Sequence, residues 1–370
     1  MQRTPLLKAI LYPVSLIYGV IVFIRNRLFD SGIIPSREFN IPVISIGNIT
    51  VGGTGKTPVT EYLAGLLMND FSVAVLSRGY KRKTKGFILA DENSTPAEIG
   101  DEPCQIKAKF PQIIVAVCKS RVRGVKKLLQ LHPETDVILL DDAFQHRYIN
   151  PGLSILLIDY NNPVSKDILL PSGNLREAAS EKKRADIILV TKCPDKLKPI
   201  ETRIMVKELD LYPFQQLFFS TIRYGNLLPV FPSCTVPEPE TLKESKPDII
   251  LVSGIANPRP LKKYARGISV KLHSMVYSDH HDYTDRDILE IEKTFRSLNQ
   301  ESTVIITTEK DAVRLRQKEN IPESLRKQFF YVPIQISFNN DDSKKFNSLI
   351  RHYVRNNKRN GILYKGKNIL

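Results

Sequence analysis

Gly47-Asn48-Ile49-Thr50-Val51-Gly52-Gly53-Thr54-Gly55-Lys56-Thr57 follows the apolar run Pro42-Val43-Ile44-Ser45-Ile46 and is followed by Pro58. A short β-branched run, a glycine-rich turn and an amphipathic segment read as strand, loop and helix, the context that a phosphate-binding loop needs. Glycines let the backbone bend until successive N–H groups point at phosphate oxygens, and the helix N-terminus adds partial positive charge. Gly52, Gly53, Thr54 and Gly55 would form the cradle. Lys56 would reach the β- and γ-phosphates, and the Thr57 hydroxyl would take a place on Mg²⁺. The loop departs from the usual pattern at Thr50, where a first glycine is expected. The stretch predicts a protein that binds a nucleoside triphosphate.

Composition narrows what surrounds this loop. The chain has 370 residues, 42% apolar and 25% charged, enough for two packed domains and too apolar for extensive disorder. Cys104, Cys118, Cys193 and Cys234 form no CxxC pair, which fits reduced thiols better than a disulfide framework or a zinc site. A net charge of +15 points to an anionic partner: nucleic acid, phospholipid headgroups or a phosphorylated substrate. Charge alone does not choose among them.

Before the loop, Leu6–Ile24 is nearly all apolar and is flanked by Arg3, Arg25 and Arg27. Its length lies at the edge of what spans a bilayer. A transmembrane anchor, a signal peptide, a helix in the membrane interface and a buried core helix all satisfy that length. No small-residue cleavage site follows, against a signal peptide. Pro13 and the interleaved tyrosines weigh against a clean span, and the arginines suit an interfacial helix on anionic lipid.

After the loop, strands and helices alternate. Ser72–Ser77 is a strand running into Arg78-Gly79-Tyr80, so Arg78 and Tyr80 are candidate contacts at the carboxyl end of a sheet; Lys81–Lys83 also read as a solvated basic turn. In Gly100-Asp101-Glu102-Pro103 the acids precede a helix, where capping alone would explain them. Ile113–Val117 is a strand followed by Lys119-Ser120-Arg121 at a helix start. Cations there oppose the helix dipole unless an anionic ligand is near. Val137–Leu140 delivers Asp141-Asp142, as a Walker B element requires for Mg²⁺, with Gln145 and His146 at the same end. Leu153–Asp159 and Asp186–Thr191 are further strands. Arg176 between them is a candidate phosphate ligand, and Thr191-Lys192-Cys193-Pro194-Asp195 sits where such proteins often contact the base.

The expected organisation is a helix over 1–30, a phosphate-loop core over 31–225, a proline-rich linker over 226–247 and a smaller α/β domain with a basic tail over 248–370. Strands Asp248–Ser253, Ser269–Tyr277 and Thr303–Thr307 alternate in the last with helices near Pro260–Arg266, Asp285–Leu298 and Lys310–Arg316. Ser278-Asp279-His280-His281 lies in a loop there, with one histidine functional and no zinc site. The fold class is α/β: a P-loop NTPase-type parallel-sheet domain with an N-terminal membrane-associated helix, plus a second, smaller α/β domain.

Taken together and in order, GNxTxGGTGKTP, SRGY, GDEP, DDxxQH, GNLRE and SDH resemble the tetraacyldisaccharide 4'-kinase family, the lipid A kinases of Gram-negative bacteria. The resemblance covers most of the chain, with Asn174 standing where that family has proline. It implies transfer of the γ-phosphoryl group of MgATP to the 4'-hydroxyl of tetraacyldisaccharide 1-phosphate at the cytoplasmic face of the inner membrane. By resemblance Asp101 is the catalytic base and His280 its partner across a domain cleft that closes on substrate. Glu102 adds a metal contact beside Thr57, Asp141 and Asp142, and Arg78, Tyr80, Arg121, Gln145, His146 and Arg176 hold the substrate. The charge then reads as directed to an anionic membrane surface and to phosphate, not to nucleic acid; no protein partner is implied. The rivals are a membrane-associated ATPase switch of the partitioning type, whose loop has a lysine where Val51 stands, and a nucleic-acid-binding ATPase suggested only by charge.

Overall fold

The computed structural model describes residues 4–233, 246–300, 302–338 and 342–365, with side chains of the last helix up to 357. It forms two compact units: Met1–Ser94 with Ile106–Ile222 and Ile336–Leu370, and Thr95–Gln105 with Arg223–Gln335. This division differs from the expected one in two places. The segment carrying Asp101 and Glu102 lies with the second unit, and the C-terminal segment lies with the first. The proline-rich stretch expected as a linker falls largely on 234–245, outside the described residues, as does Cys234.

The first unit is built on a nine-stranded sheet. Its strands are β1 (Val43–Gly47), β2 (Val73–Ser77), β3 (Ile88–Leu89), β4 (Ile114–Val117), β5 (Val137–Asp141), β6 (Leu153–Asp159), β7 (Ile187–Thr191), β8 (Gln216–Tyr224) and the late strand β14 (Ile334–Phe338), in the order β14-β8-β7-β6-β1-β5-β2-β4-β3. Every residue of β1, β2, β5, β6 and β7 is buried. That is why these segments read as continuous Val/Ile/Leu runs without alternation, as expected of parallel strands covered on both faces. β1 pairs in parallel with β5 on one side and β6 on the other. The chain lays β2 to β5 on one side of β1 and β6 to β8 on the other, so the end of β1 is a switch point, where open α/β sheets bind ligands. Register sets Ile46 beside Asp141, bringing the glycine-rich loop and the Asp141-Asp142 pair to one edge. Gly47 has to be glycine: a Cβ there would lie 2.7 Å from the Phe144 backbone nitrogen.

The last helix, Asp342–Lys365, closes this unit. Phe346 packs edge-on to Phe218 at 5.2 Å and against Phe338 at 4.7 Å, and the Tyr62 hydroxyl donates to Asn347 Oδ1 at 2.8 Å. Those contacts place the C-terminal segment with the first unit.

α1 (Pro5–Asp30) runs six residues past the apolar stretch to the expected boundary at 30 and continues through Pro13, with Thr4 as its cap. It is not a core helix. Leu6, Ile10, Ile17 and Ile21 are 73, 64, 64 and 61% exposed. Its other side is held by polar stitches: Ser172 donates from its hydroxyl to Lys8 O and from its N–H to Ser15 Oγ, both at 2.8 Å, and Tyr18 donates to Arg176 O at 2.8 Å. Nearer the end, Arg25 pairs with Glu177 at 3.6 Å, and Arg147 donates to Asn26 O at 2.8 Å and to Asp30 at 2.6 Å. These positions fall on one stripe of the helix, which is therefore seated along most of its length.

The second unit has its own five-stranded sheet: β9 (Leu228–Pro229), β10 (Asp248–Ser253), β11 (Leu272–Val276), β12 (Thr303–Thr308) and β13 (Phe329–Val332), ordered β11-β10-β12-β13-β9 and parallel except at β9. Tyr283, Ile291, Phe295, Ile305, Leu315 and Phe329 form its core. Helix Asp285–Arg296 starts at a capping box in which Thr284 and Asp287 satisfy each other's backbone N–H groups.

Candidate active site

In the first unit the loop after β1 turns at Gly52 and Gly55, at φ +109° and +87°, values that favour glycine, and enters α2 (Lys56–Leu67). A Cβ at Gly52 or Gly53 would meet no atom within 4 Å, so the backbone there faces open space, as a phosphate cradle must. Asn48 braces the loop from within, donating to Thr54 Oγ1 at 2.8 Å. Thr191 donates to Thr54 O at 2.8 Å, and Lys192 bridges Gly53 O and Asp159. Thr191 and Lys192, read from sequence as a base contact, thus act here as braces of the loop. Lys56 opens α2, with Nζ 3.7 Å from Asp142 Oδ1, and Thr57 is half-buried beside it.

The two aspartates after β5 part company. Asp141 is 1% exposed, and its oxygens accept from Ser77 Oγ at 3.1 Å and Thr60 Oγ1 at 3.4 Å. Asp142 sits in the left-handed region at φ +45°, which aspartate tolerates, and turns its half-buried carboxylate toward the loop. There it meets Lys56 and Arg176, the latter at 3.1 and 3.3 Å. Arg176 also donates to Gln145 Oε1 at 3.3 Å, and Gln145 donates to Asn48 O at 2.7 Å. Among the described residues no three His, Cys, Asp or Glu side chains converge as a metal cage. The donors still suit Mg²⁺, which takes few protein ligands and completes its shell with phosphate oxygens and water. Asp142 and the Thr57 hydroxyl are the residues that would hold it, and the cations now on Asp142 mark where positive charge is favoured.

Arg121 opens the helix Arg121–Leu131 and is 2% exposed; burial pushes its guanidinium down to about 10, opposed by the nearby Asp141 and Asp142. It donates to the backbone carbonyls of Asp141 and Asp142 at 3.1 and 3.3 Å, and its Nε has no partner among the described residues. His146 Nε2 accepts from the Arg121 backbone N–H at 3.3 Å, so this ring is neutral. Burial, with Arg121, Arg25 and Arg78 around it, pushes its pKa down to about 4. Arg78 and Tyr80 are exposed, and the Arg78 charge is felt at both Arg121 and His146. His146, Lys119, Arg123, Arg37 and Tyr148 line a cavity of about 1050 Å³.

The second unit gathers a separate cluster. Asp101, 4% exposed, does not cap its helix. Its Oδ1 accepts from Arg314 Nε at 2.7 Å, and its Oδ2 from Arg314 Nη2 and His280 Nδ1, both at 2.6 Å. Burial raises this carboxyl, but the His280 and Arg314 hydrogen bonds and the charges of Arg314 and Lys310 outweigh it, and the net shift is downward. His280 stands at φ +59°, strained for a histidine, with its N–H on Gly254 O at 3.1 Å. Gly254 N–H in turn donates at 3.0 Å to Asp311, a buried carboxylate also bound by Thr308. Lys310 Nζ lies 3.0 Å from His280 Nε2 and 3.8 Å from Glu102 Oε1. Asp101 and His280 therefore share one unit, and the expectation that they come from opposite sides of a cleft is corrected. The reason is that Thr95–Gln105 folds with the later sequence.

A family model described as tetraacyldisaccharide-1-P 4'-kinase matches residues 7–355. The chain belongs to this family. A relative from Phocaeicola vulgatus named tetraacyldisaccharide 4'-kinase is 51% identical over 95% of this chain and 96% of its own. One of the same name from Bacteroides thetaiotaomicron is 48% identical over 97% and 96%. A crystal structure of the Aquifex aeolicus member, in complex with ATP, superposes with a TM-score of 0.73 at 31% identity, covering 94% of this chain and 99% of that one.

Within this kinase family frame, sequence reasoning missed Lys310 and Arg314. They stand four apart on helix Glu309–Leu315, so both reach the same side, but charged residues on a short helix usually face solvent. The one available signal was the cap Thr308 with Asp311 three residues on, which announces a helix start and not a site.

Proposed function

We propose that this protein is an ATP- and Mg²⁺-dependent kinase that moves the γ-phosphoryl group of ATP to the 4'-hydroxyl of tetraacyldisaccharide 1-phosphate, giving lipid IVA. The observation that carries this reading is the phosphate loop with Lys56 and Asp142 facing it, in a chain that matches the kinase family over nearly its whole length. Lys56 and the loop N–H groups would hold the β- and γ-phosphates. Mg²⁺, when bound, neutralises developing charge. The sugar oxygen bonds to the γ-phosphorus, the bond to the bridging oxygen breaks, ADP leaves, and the hydroxyl proton passes to the Asp101–His280 pair. We assign Asp101 and His280 the proton-accepting role, and Thr57 and Asp142 the metal. The sequence reading also put Asp141 and Glu102 on the metal. Asp141 is committed to hydroxyls, and Glu102 has Lys310 as its neighbour.

The substrate headgroup is assigned to the basic cavity beside His146. Arg37, Lys119 and Arg123 bring positive charge to its lining. The buried Arg121 beside Lys119 has an Nε without a partner among the described residues, and Arg78, whose charge is felt at His146, and Tyr80 are exposed. The lipid tails stay in the bilayer, because each exposed CH₂ costs about 0.8 kcal/mol. The enzyme must then come to the membrane, and α1 gives the means: an apolar face in the interface plane, with the exposed Lys8 and Arg27 near anionic headgroups. A helix stitched to the nucleotide-binding unit along one side is poorly placed to cross the bilayer, so we assign it to the cytoplasmic surface of the inner membrane, where ATP is available. An ATPase switch finds no support in relatives that carry the kinase name and align over nearly all of both chains. The test is turnover by Asp101→Ala: kcat lost with ATP binding retained fits this reading, and undiminished kcat contradicts it.

A further inference from the structure

We infer that Lys310 is a positioning residue that fixes His280 as the Nδ1–H tautomer and so keeps its ring donating to Asp101; this rests on the proton-accepting role proposed for that pair. A lysine ammonium can only donate, so the 3.0 Å contact makes His280 Nε2 the acceptor. A neutral imidazole carries one N–H, which must then be on Nδ1, 2.6 Å from Asp101 Oδ2. The competing arrangement is also present. Asp279 Oδ2 lies 3.9 Å from the same Nε2, and Asp279 Oδ1 lies 3.8 Å from Lys310 Nζ. Without the lysine, a proton on Nε2 would find Asp279, and Asp101 would lose its His280 donor and keep only Arg314. Lys310 stands between these two states.

The surroundings fit a built arrangement. Helix Glu309–Leu315 is pinned at its first turn by Asp311, which binds Thr308 and the Gly254 N–H, and Gly254 O accepts from the His280 N–H. The same helix that supplies Lys310 therefore also fixes the backbone of its target. Arg314, one turn on, forks onto both oxygens of Asp101 and donates to His281 O. A histidine in a strained backbone conformation needs such bracing to present one ring nitrogen reproducibly.

The test is carried out on the full-length protein in detergent micelles, labelled with ¹⁵N-histidine, at about pH 8 where an ordinary imidazole is neutral. The His280 ring signals, identified by their loss in His280→Gln, should show Nδ1 protonated and Nε2 bare. In Lys310→Met the proton should move to Nε2 or average between the two, with kcat down at least about tenfold and KM for ATP unchanged, since a wrong tautomer disables a histidine–aspartate pair without moving it. Lys310→Arg, which keeps a donor, should recover the tautomer and most of kcat. An Nε2–H ring in the unaltered protein overturns the inference, as does a Lys310→Met ring still protonated on Nδ1, whatever its turnover. Full turnover by His280→Gln instead removes the reading of the pair on which this rests.

Discussion

Asp141 and Asp142 are neighbours with opposite fates, and the difference lies in one backbone angle. The strand ends at Asp141, whose side chain still points into the unit, and the left-handed turn at Asp142 swings the next carboxylate to the loop. Asp142→Asn should lower kcat at least about a hundredfold with melting temperature nearly unchanged. Asp141→Asn should instead cost stability, about 1–3 kcal/mol, because one of the two buried hydroxyls loses its acceptor oxygen. Kinetics and denaturant unfolding on both variants separate the roles. His146 gives a pH prediction. Its imidazole titrates at about 4 in the folded protein against the ordinary 6.5, so between those values the unfolded chain binds more protons. Stability contributed by the neutral ring is present above about pH 6.5 and is lost as pH falls toward 4. The drop in melting temperature from pH 7 to pH 5 should be smaller in His146→Gln; an identical drop would contradict the assignment. At this scale the glycine loop was legible because its chemistry is local in sequence. The choice between Asp141 and Asp142, and the cations on Asp101, were not. One depends on a single φ, the other on contacts more than two hundred residues apart.

At the scale of elements, α1 is apolar on nearly all sides, so its composition could not say which side meets protein. The answer comes from remote partners: Arg176, Ser172, Glu177 and Arg147. Replacing Ile10, Ile17 and Ile21 with serine should reduce binding to anionic liposomes at least about tenfold, since each buried isoleucine contributes about 1.5–3 kcal/mol and this face is only partly inserted. Melting temperature should hold, because these side chains touch solvent and not core. Unchanged liposome binding would sink the interfacial assignment. The central strands were legible for the opposite reason: parallel strands buried on both faces read as unbroken apolar runs. β14 was not, because Ile334–Phe338 mixes buried and half-exposed residues at a sheet edge and carries no such run.

For the whole molecule, sequence order and fold order differ. The first unit takes in the last helix, and the second borrows Thr95–Gln105 from the middle of the first. No linear division of the chain could show this, because it arises from long-range packing such as Phe346 on Phe218 and Arg314 on Asp101. The borrowed segment carries the carboxylate proposed to accept the substrate proton, while Lys56 stands in the other unit. Each residue has its own test. Lys56→Ala should abolish turnover through the phosphates, and Asp101→Ala should lower kcat with ATP affinity retained. The most direct measurement is transfer of labelled γ-phosphate from ATP to tetraacyldisaccharide 1-phosphate in mixed micelles. Label at the 4' position, absent with Lys56→Ala, is the predicted result. ATP hydrolysis at an equal rate with or without the lipid, and no labelled lipid, would contradict the account.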